Sequence, residues 1–351
     1  MTRRGKRALS LFSATAAVLT LAASVTANAA STSTPAPSPA ELLQGAMNAE
    51  RVTSYVAQVQ EMHFGPGGSV ATISKEEHLA PDETHKVYLA PENLYGDSVV
   101  IHGSDTFTYD AKTKRVLVSH VPQALPDQAN GNLGLVLANY NPVIGEPKIV
   151  AGRPTISCAL VNRFTGELVM RLWIDSQTRL ILQRETYHPN GTVGSRTQFE
   201  DIRYTVAIPP EVFSTPVPAG YRVVNDAEPA PPSTDVARIL TQAGFSPAGP
   251  HYLPEGFALV GADLATVKGV KTLHLVYSDG IRSLSLFENA SDAGPNFGSL
   301  KPIPTKIGNR EAQYVYEGTT TLLSWKDKGL VFALVGDLEV KDLKAIAGSV
   351  S

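Results

Sequence analysis

Along most of this chain apolar and polar residues alternate with a period of two, which places strand side chains on opposite faces of a sheet. The alternation recurs at 54–64, 69–80, 85–91, 97–103, 105–111, 115–121, 155–164, 168–175, 179–188 and 195–206. Between these stretches stand turn-forming segments such as GPGG (65–68), PENLYG (91–96), TGE (165–167) and PNGT (189–192). Several breaks have hairpin length, so consecutive strands are expected to form an antiparallel meander.

A helical period takes over at four places. Ser38-Pro39-Ala40-Glu41 combines an N-cap serine, a proline at the first helical position and a glutamate placed to close a capping box. Leu42, Leu43, Ala46, Met47 and Ala49 then give one apolar face, predicting a helix to about Val52. A short helix is expected around Leu133 to Asn139, and another from Thr234 to Gly244. The last runs over 338–350, with Leu338, Leu343, Ile346 and Ala347 on one face. Between the second and third of these helices lies DAEPAPPSTD (226–235), whose three prolines and lack of core-forming residues mark an interdomain linker. Further strands are expected at 258–267, 271–278, 281–288, 310–317, 320–327 and 330–336. The sequence therefore reads as α+β: an antiparallel sheet with one covering helix, then a smaller antiparallel-sheet domain.

The N-terminus changes the picture of where this fold works. Arg3, Arg4, Lys6 and Arg7 precede an apolar run that ends at Ala27-Asn28-Ala29, the small-x-small pattern of a cleaved export signal. Cleavage is expected near Ala29, giving a signal peptide at 1–29 and a Ser/Thr/Pro/Ala spacer at 30–37. No cysteine follows that site to carry a lipid, so the mature protein is expected to be soluble in the periplasm or another extracytoplasmic space. Four of the 30 Lys and Arg leave with the signal while all 33 Asp and Glu remain, so the formal net charge goes from −3 to −7. That sign argues against nucleic acid as a partner. The single cysteine, Cys158, lies in apolar PTISCALV; it can form no internal disulfide and reads as core.

Candidate chemistry is sparse. The eight histidines include no HExxH, and a turn separates His78 from His85. No GxSxG elbow exists, and Ser104 in His102-Gly103-Ser104-Asp105 reads as a turn. Glu76, Glu77, Glu200 and Asp201 read as exposed strand ends, and Asn190-Gly191-Thr192 as a hairpin turn rather than a glycosylation acceptor. The sequence thus points to a non-enzymatic protein without metal or cofactor. A sheet with so little helix needs cover, so it either closes on itself or leaves an apolar groove. Val87, Leu89, Val99, Ile101, Leu172, Ile174 and Leu182 are the candidate groove residues, and packed core is the competing reading of the same side chains.

Two sets of motifs carry a family resemblance. Gly152-Arg153-Pro154 is followed by LVMRLWIDSQTRLILQRETYHPNGTV and FEDIRY, with Trp173-Ile174-Asp175, the turn Ser176-Gln177-Thr178 and Leu180 at its centre. Further on stand Tyr252-Leu253-Pro254-Glu255-Gly256-Phe257 and Tyr277-Ser278-Asp279-Gly280, with Ser283, Ser285, Phe287 and Glu288 behind them. In this order they resemble the MucB/RseB family of sigma-E regulatory proteins. The resemblance implies a LolA-like half-barrel at 38–225 and a MucB/RseB C-terminal domain at 236–351. It also implies a function in the envelope stress response: binding the extracytoplasmic domain of a membrane-spanning anti-sigma factor, and sensing lipid or lipoprotein acyl chains in the half-barrel groove. A lipid or lipoprotein carrier of LolA type is the alternative.

Overall fold

The computed structural model describes residues 37–65, 68–120, 126–204, 207–226, 232–267, 269–291, 297, 300–317 and 320–351. The expected export signal and its cleavage site lie outside the described residues. Contacts divide the chain into two compact units, with the boundary between 228 and 229.

The first unit opens with α1 (Pro39–Asn48), whose start is the expected capping box. Ser38 Oγ accepts from the Glu41 N–H at 3.3 Å, and Glu41 Oε2 accepts from the Ser38 N–H at 2.8 Å. The helix stops at Asn48, one turn short of Val52, where turns lead into the first strand. Then come β1 (Tyr55–Gly65), β2 (Gly68–Leu79), β3 (Glu83–Ala90), β4 (Ser98–His102), β5 (Asp105–Asp110) and β6 (Arg115–His120). After α2 (Pro126–Asn139) follow β7 (Tyr140–Val150), β8 (Arg153–Asn162), β9 (Leu168–Asp175), β10 (Ile181–Tyr187), β11 (Val193–Arg203), a 3-10 turn (Pro210–Phe213) and β12 (Arg222–Asp226).

All twelve strands form one sheet in the order β12-β6-β5-β4-β3-β2-β1-β11-β10-β9-β8-β7. Two hairpin meanders, β1 to β6 and β7 to β11, are joined by the pairing of β1 with β11. The sheet departs from a pure meander at one edge, where β12 pairs with β6 in parallel. The strand also takes in Asp226, which the composition assigns to the linker. Strand β7 is the opposite edge; its Pro142 and Pro147 lack a donor, which an edge strand tolerates. A core of Ala49, Tyr55, Ala57, Val59, Val150, Trp173, Leu180, Leu182, Phe199 and Ile202 packs on strands from both meanders. Cys158 is fully buried, as its apolar setting suggests, and burial pushes its thiol up to about 11.

The second unit contains α3 (Val236–Thr241), β13 (Ala258–Val267), β14 (Val270–Ser278), β15 (Ser283–Asn289), β16 (Ile303–Ile307), β17 (Arg310–Glu317), β18 (Thr320–Asp327), β19 (Leu330–Gly336) and α4 (Val340–Gly348). Its seven strands run antiparallel in the order β13-β14-β15-β19-β18-β17-β16. Both helices pack on one face. Ile239 and Ala243 from the α3 region and Leu343, Ile346 and Ala347 from α4 meet Leu273, Leu275, Leu284, Leu286, Leu323, Trp325, Phe332 and Leu334. No described helix of either unit is long and apolar enough to cross a membrane.

Candidate functional site

Strand register decides which of the first unit's side chains share a surface. Tyr55, His78, Thr84 and Ile101 form one cross-strand row, and Ala57, Glu76, Lys86 and Val99 form the next on the same face. Lys86 Nζ sits between Glu61 Oε1 at 3.0 Å and Glu76 Oε1 at 3.1 Å. Burial alone would lower the lysine's pKa, but the two carboxylates outweigh it and hold it above the ordinary range. His78 stacks on Tyr55 with its Nε2 2.7 Å from the Glu50 carbonyl oxygen and its Nδ1 2.9 Å from Thr84 Oγ1. The Glu50 carboxyl is pushed up by burial, which the charge of His78 only partly opposes. Strands β1 to β3 thus present a satisfied polar network on this face. Glu76 and Glu77, expected at exposed strand ends, are enclosed, with side chains 12% and 17% exposed.

The seven candidate groove residues divide by environment. Leu172, Ile174 and Leu182 are buried, Ile174 and Leu182 completely. Val87 and Val99 are half-buried, while Leu89 and Ile101 are exposed. Val99 stands opposite Lys86, and Val87 opposite Ser98, so the two valines lie on opposite faces of the sheet. One surface does not carry all seven. The histidines separate in the same way: His85 shares the Val87 face and bonds Glu77 Oε2 at 3.2 Å, away from His78. Among the described residues no group of three His, Cys, Asp or Glu is placed to hold a metal.

The family-like motifs of the first unit converge on Asp175, whose side chain is completely buried. Arg153 donates to it from Nε at 2.8 Å and from Nη2 at 3.3 Å, and Tyr204 from its hydroxyl at 2.9 Å. The backbone N–H groups of Gln177 and Thr178 complete the set at 2.8 and 3.1 Å. Burial by itself would raise this carboxyl; the donors overcome it and hold it below the usual carboxylate range. The Arg153 guanidinium also lies over the Tyr204 ring, 4.9 Å from its centroid. Gly-Arg-Pro, Trp-Ile-Asp-Ser-Gln-Thr and the final tyrosine of FEDIRY are therefore parts of one lock joining β8, the β9–β10 turn and β11.

The second unit's Ser278-Asp279-Gly280 is a turn built by side chains. Asp279 Oδ1 accepts from the Ile281 and Arg282 N–H groups at 2.9 and 2.7 Å, and Ser278 Oγ donates to the Arg282 carbonyl at 2.9 Å. Gly280 takes a φ of +98°, which suits glycine. This turn sets the β14–β15 register that brings Leu275 beside Leu286 and Tyr277 beside Leu284 on the helix-covered face. Glu288 is buried on that face: its Oε2 accepts from the Ala248 N–H at 2.8 Å, while Oε1 has no partner. Desolvation pushes this carboxyl up to about 7. On the opposite face Val276, Ser285, Val335, Leu322 and Val315 form a cross-strand row. Beside it a cavity of about 130 Å³ is lined by Phe297, Leu300, Val315, Glu317, Thr320, Leu322 and Val335. Sequence periodicity shows Val315, Leu322 and Val335 only as alternate strand residues, and Phe297 and Leu300 lie outside the strands; their convergence depends on the order in which strands pair.

Comparison with known proteins places both units. Residues 99–217 match the model of the MucB/RseB N-terminal domain, and residues 248–350 match a domain of unknown function, DUF4367. That second description stands where the motifs resemble the MucB/RseB C-terminal domain. Curated proteins offer no sequence match. Among solved structures, the MucA/MucB complex from Pseudomonas aeruginosa contains a chain 18% identical, with a TM-score of 0.59 over 89% of this chain and 98% of that one. MucB in complex with MucA(peri) gives 17% identity and 0.60 over 90% and 98%, and MucB in another crystal structure gives 16% and 0.50 over 89% and 97%. Residues 99–217 thus match a MucB/RseB N-terminal domain and residues 248–350 a DUF4367 domain, and the fold likeness to MucB extends over both units.

Proposed function

We propose that this protein is an exported regulator that acts by binding: it holds the extracytoplasmic domain of a membrane-spanning anti-sigma factor and responds to lipid or lipoprotein acyl chains met by its first unit. The observation that carries this reading is the extent of the likeness. Structures of MucB solved with MucA are covered over 98% of their chains, by both units rather than by the sheet of the first alone. A carrier of LolA type would need only that first sheet. The basic, apolar and Ala-x-Ala segments of residues 1–29 supply the export signal that such a role requires.

The test is calorimetric titration of the mature chain with the extracytoplasmic segments of single-span anti-sigma factors from the same organism. Saturable one-to-one binding, weakened by a lipoprotein acyl chain, is the expected result. Lipoprotein binding with no affinity for the anti-sigma segment would overturn the regulator in favour of the carrier.

A further inference from the structure

Asp263, His274 and Ser285 stand on the neighbouring strands β13, β14 and β15, on the face of the second sheet away from its helices. They form one hydrogen-bonded line: His274 Nδ1 lies 2.8 Å from Asp263 Oδ2, and its Nε2 lies 2.8 Å from Ser285 Oγ. The carboxylate fixes the proton on Nδ1, so the Nε2 lone pair faces the serine and the hydroxyl donates to it. Phe287, the cross-strand partner of His274, stacks on the imidazole at 4.3 Å and 11°, which holds the ring in plane. Asp263 and His274 are 15% and 18% exposed, sheltered but not sealed, and Ser285 is half-buried.

A second, independent feature adjoins this line. Ser285 pairs with Val335, which lines the cavity of about 130 Å³ together with Phe297, Leu300, Val315 and Leu322, and with the polar Glu317 and Thr320 also in its wall. A space of that order accepts a short hydrocarbon or a ring the size of benzene.

We propose that Ser285 is a nucleophilic serine, activated by His274 and oriented through Asp263, that takes an acyl group from activated esters whose short apolar chain occupies the adjoining cavity. Ser285 Oγ attacks the acyl carbonyl carbon as its proton passes to His274 Nε2. The Oγ–C bond forms and the ester C–O bond breaks. The departing alkoxide or phenoxide takes the proton from His274 and leaves as the alcohol. Asp263 remains a carboxylate throughout and offsets the charge of the imidazolium. Strands β14 and β15 are interior to the sheet, so their N–H groups are engaged in the ladder rather than aimed at a developing oxyanion. That limits the substrates to esters with good leaving groups and excludes amides. The proposal stands independently of anti-sigma binding.

The experiment treats the mature full chain with p-nitrophenyl butyrate and, separately, with a fluorophosphonate probe, reading p-nitrophenol release and intact mass. One adduct per chain, mapped to Ser285 by peptide mass spectrometry, is expected. Ser285→Ala should give none, and His274→Gln should acylate at least ~100-fold more slowly. Circular dichroism checks that each variant is folded. Leu322→Trp fills the cavity without altering the three polar residues, and should slow the butyrate ester more than the acetate ester. An unmodified wild-type chain, an adduct that persists in Ser285→Ala, or an undiminished rate in His274→Gln overturns the nucleophile. Equal slowing of both esters by Leu322→Trp overturns the role of the cavity.

Discussion

Arg153 Nε donates to Asp175 Oδ2 at 2.8 Å, and the carboxylate that receives it is entirely shut off from solvent. A buried carboxylate is tolerable only while its donors are in place, since removing one partner strands a charge in a low-dielectric interior. Arg153→Gln and Asp175→Asn are each expected to destabilise the first unit by about 3–5 kcal/mol, less where the substituted amide retains a hydrogen bond. A double-mutant cycle by urea denaturation should show strong coupling, because the second substitution removes what the first left unpaired. The Asp175 pKa is depressed in the fold. Its contribution is therefore fully present above the unfolded value, near 3.8, and is lost as pH falls through the folded value. Losses that simply add would show that Arg153 and Asp175 act separately.

Glu288 gives the opposite dependence on pH. Its folded pKa of about 7 lies above the unfolded value near 4.5, so the folded second unit binds more protons than the unfolded chain between those values. Stability is highest below the unfolded pKa and falls as pH rises through the folded one, by about 3 kcal/mol in all. Glu288→Gln keeps an acceptor for the Ala248 N–H but carries no charge. It should therefore melt higher than wild type at pH 8 and close to wild type at pH 5. Parallel melting curves for the two proteins across this range would show that Glu288 is not charged at the expense of the fold.

Much of this architecture can be read from the residues, and what cannot has identifiable causes. The capping box at Ser38 and Glu41, the apolar face of α4 and the hairpin at Ser278-Asp279-Gly280 are local features, and the structure reproduces them. Strand β7 escapes a propensity reading because Pro142, Gly145 and Pro147 argue against a central strand; only its position at the sheet edge makes them acceptable. Parallel pairing of β12 with β6 leaves no turn signal, since about a hundred residues separate them. Side-chain constellations are harder still. Arg153 and Asp175 are 22 positions apart, and Asp263, His274 and Ser285 are spaced by 11 and 11, so only strand register brings them together. The seven apolar groove candidates share hydrophobicity, which sequence shows, without sharing a face, which sequence shows only once pairing is known.

Those candidates can be sorted experimentally. Ile174 is fully buried and Ile101 is 36% exposed. Ile174→Ala should cost about 2–5 kcal/mol of stability through lost burial and the cavity left behind. Ile101→Ala should stay within about 1 kcal/mol, because much of that side chain is already in water. If Ile101 belongs to an acyl-binding surface, its replacement by Ser should weaken retention of a fluorescent fatty acid without lowering the melting temperature. Retention equal to wild type would remove Ile101 from that surface.

Gly336 closes β19 where it runs against β15, and the space for a side chain there is already filled. A Cβ at this position would lie 2.8 Å from the Ser283 carbonyl oxygen and 3.3 Å from a Leu284 methyl. The first of these atoms is backbone in an interior strand, so it cannot swing aside as the end of a flexible side chain would. Gly336→Ala must therefore shift the β15–β19 ladder where Leu284 pairs with Gly336. A loss of about 1–3 kcal/mol in the second unit is expected, the usual cost of overpacking a filled site. Hydrogen exchange should show faster opening of β15 and β19 while β1 and β11 keep their wild-type protection. Unchanged protection at β15 together with a wild-type melting temperature would show that the ladder relaxes freely around the added methyl group.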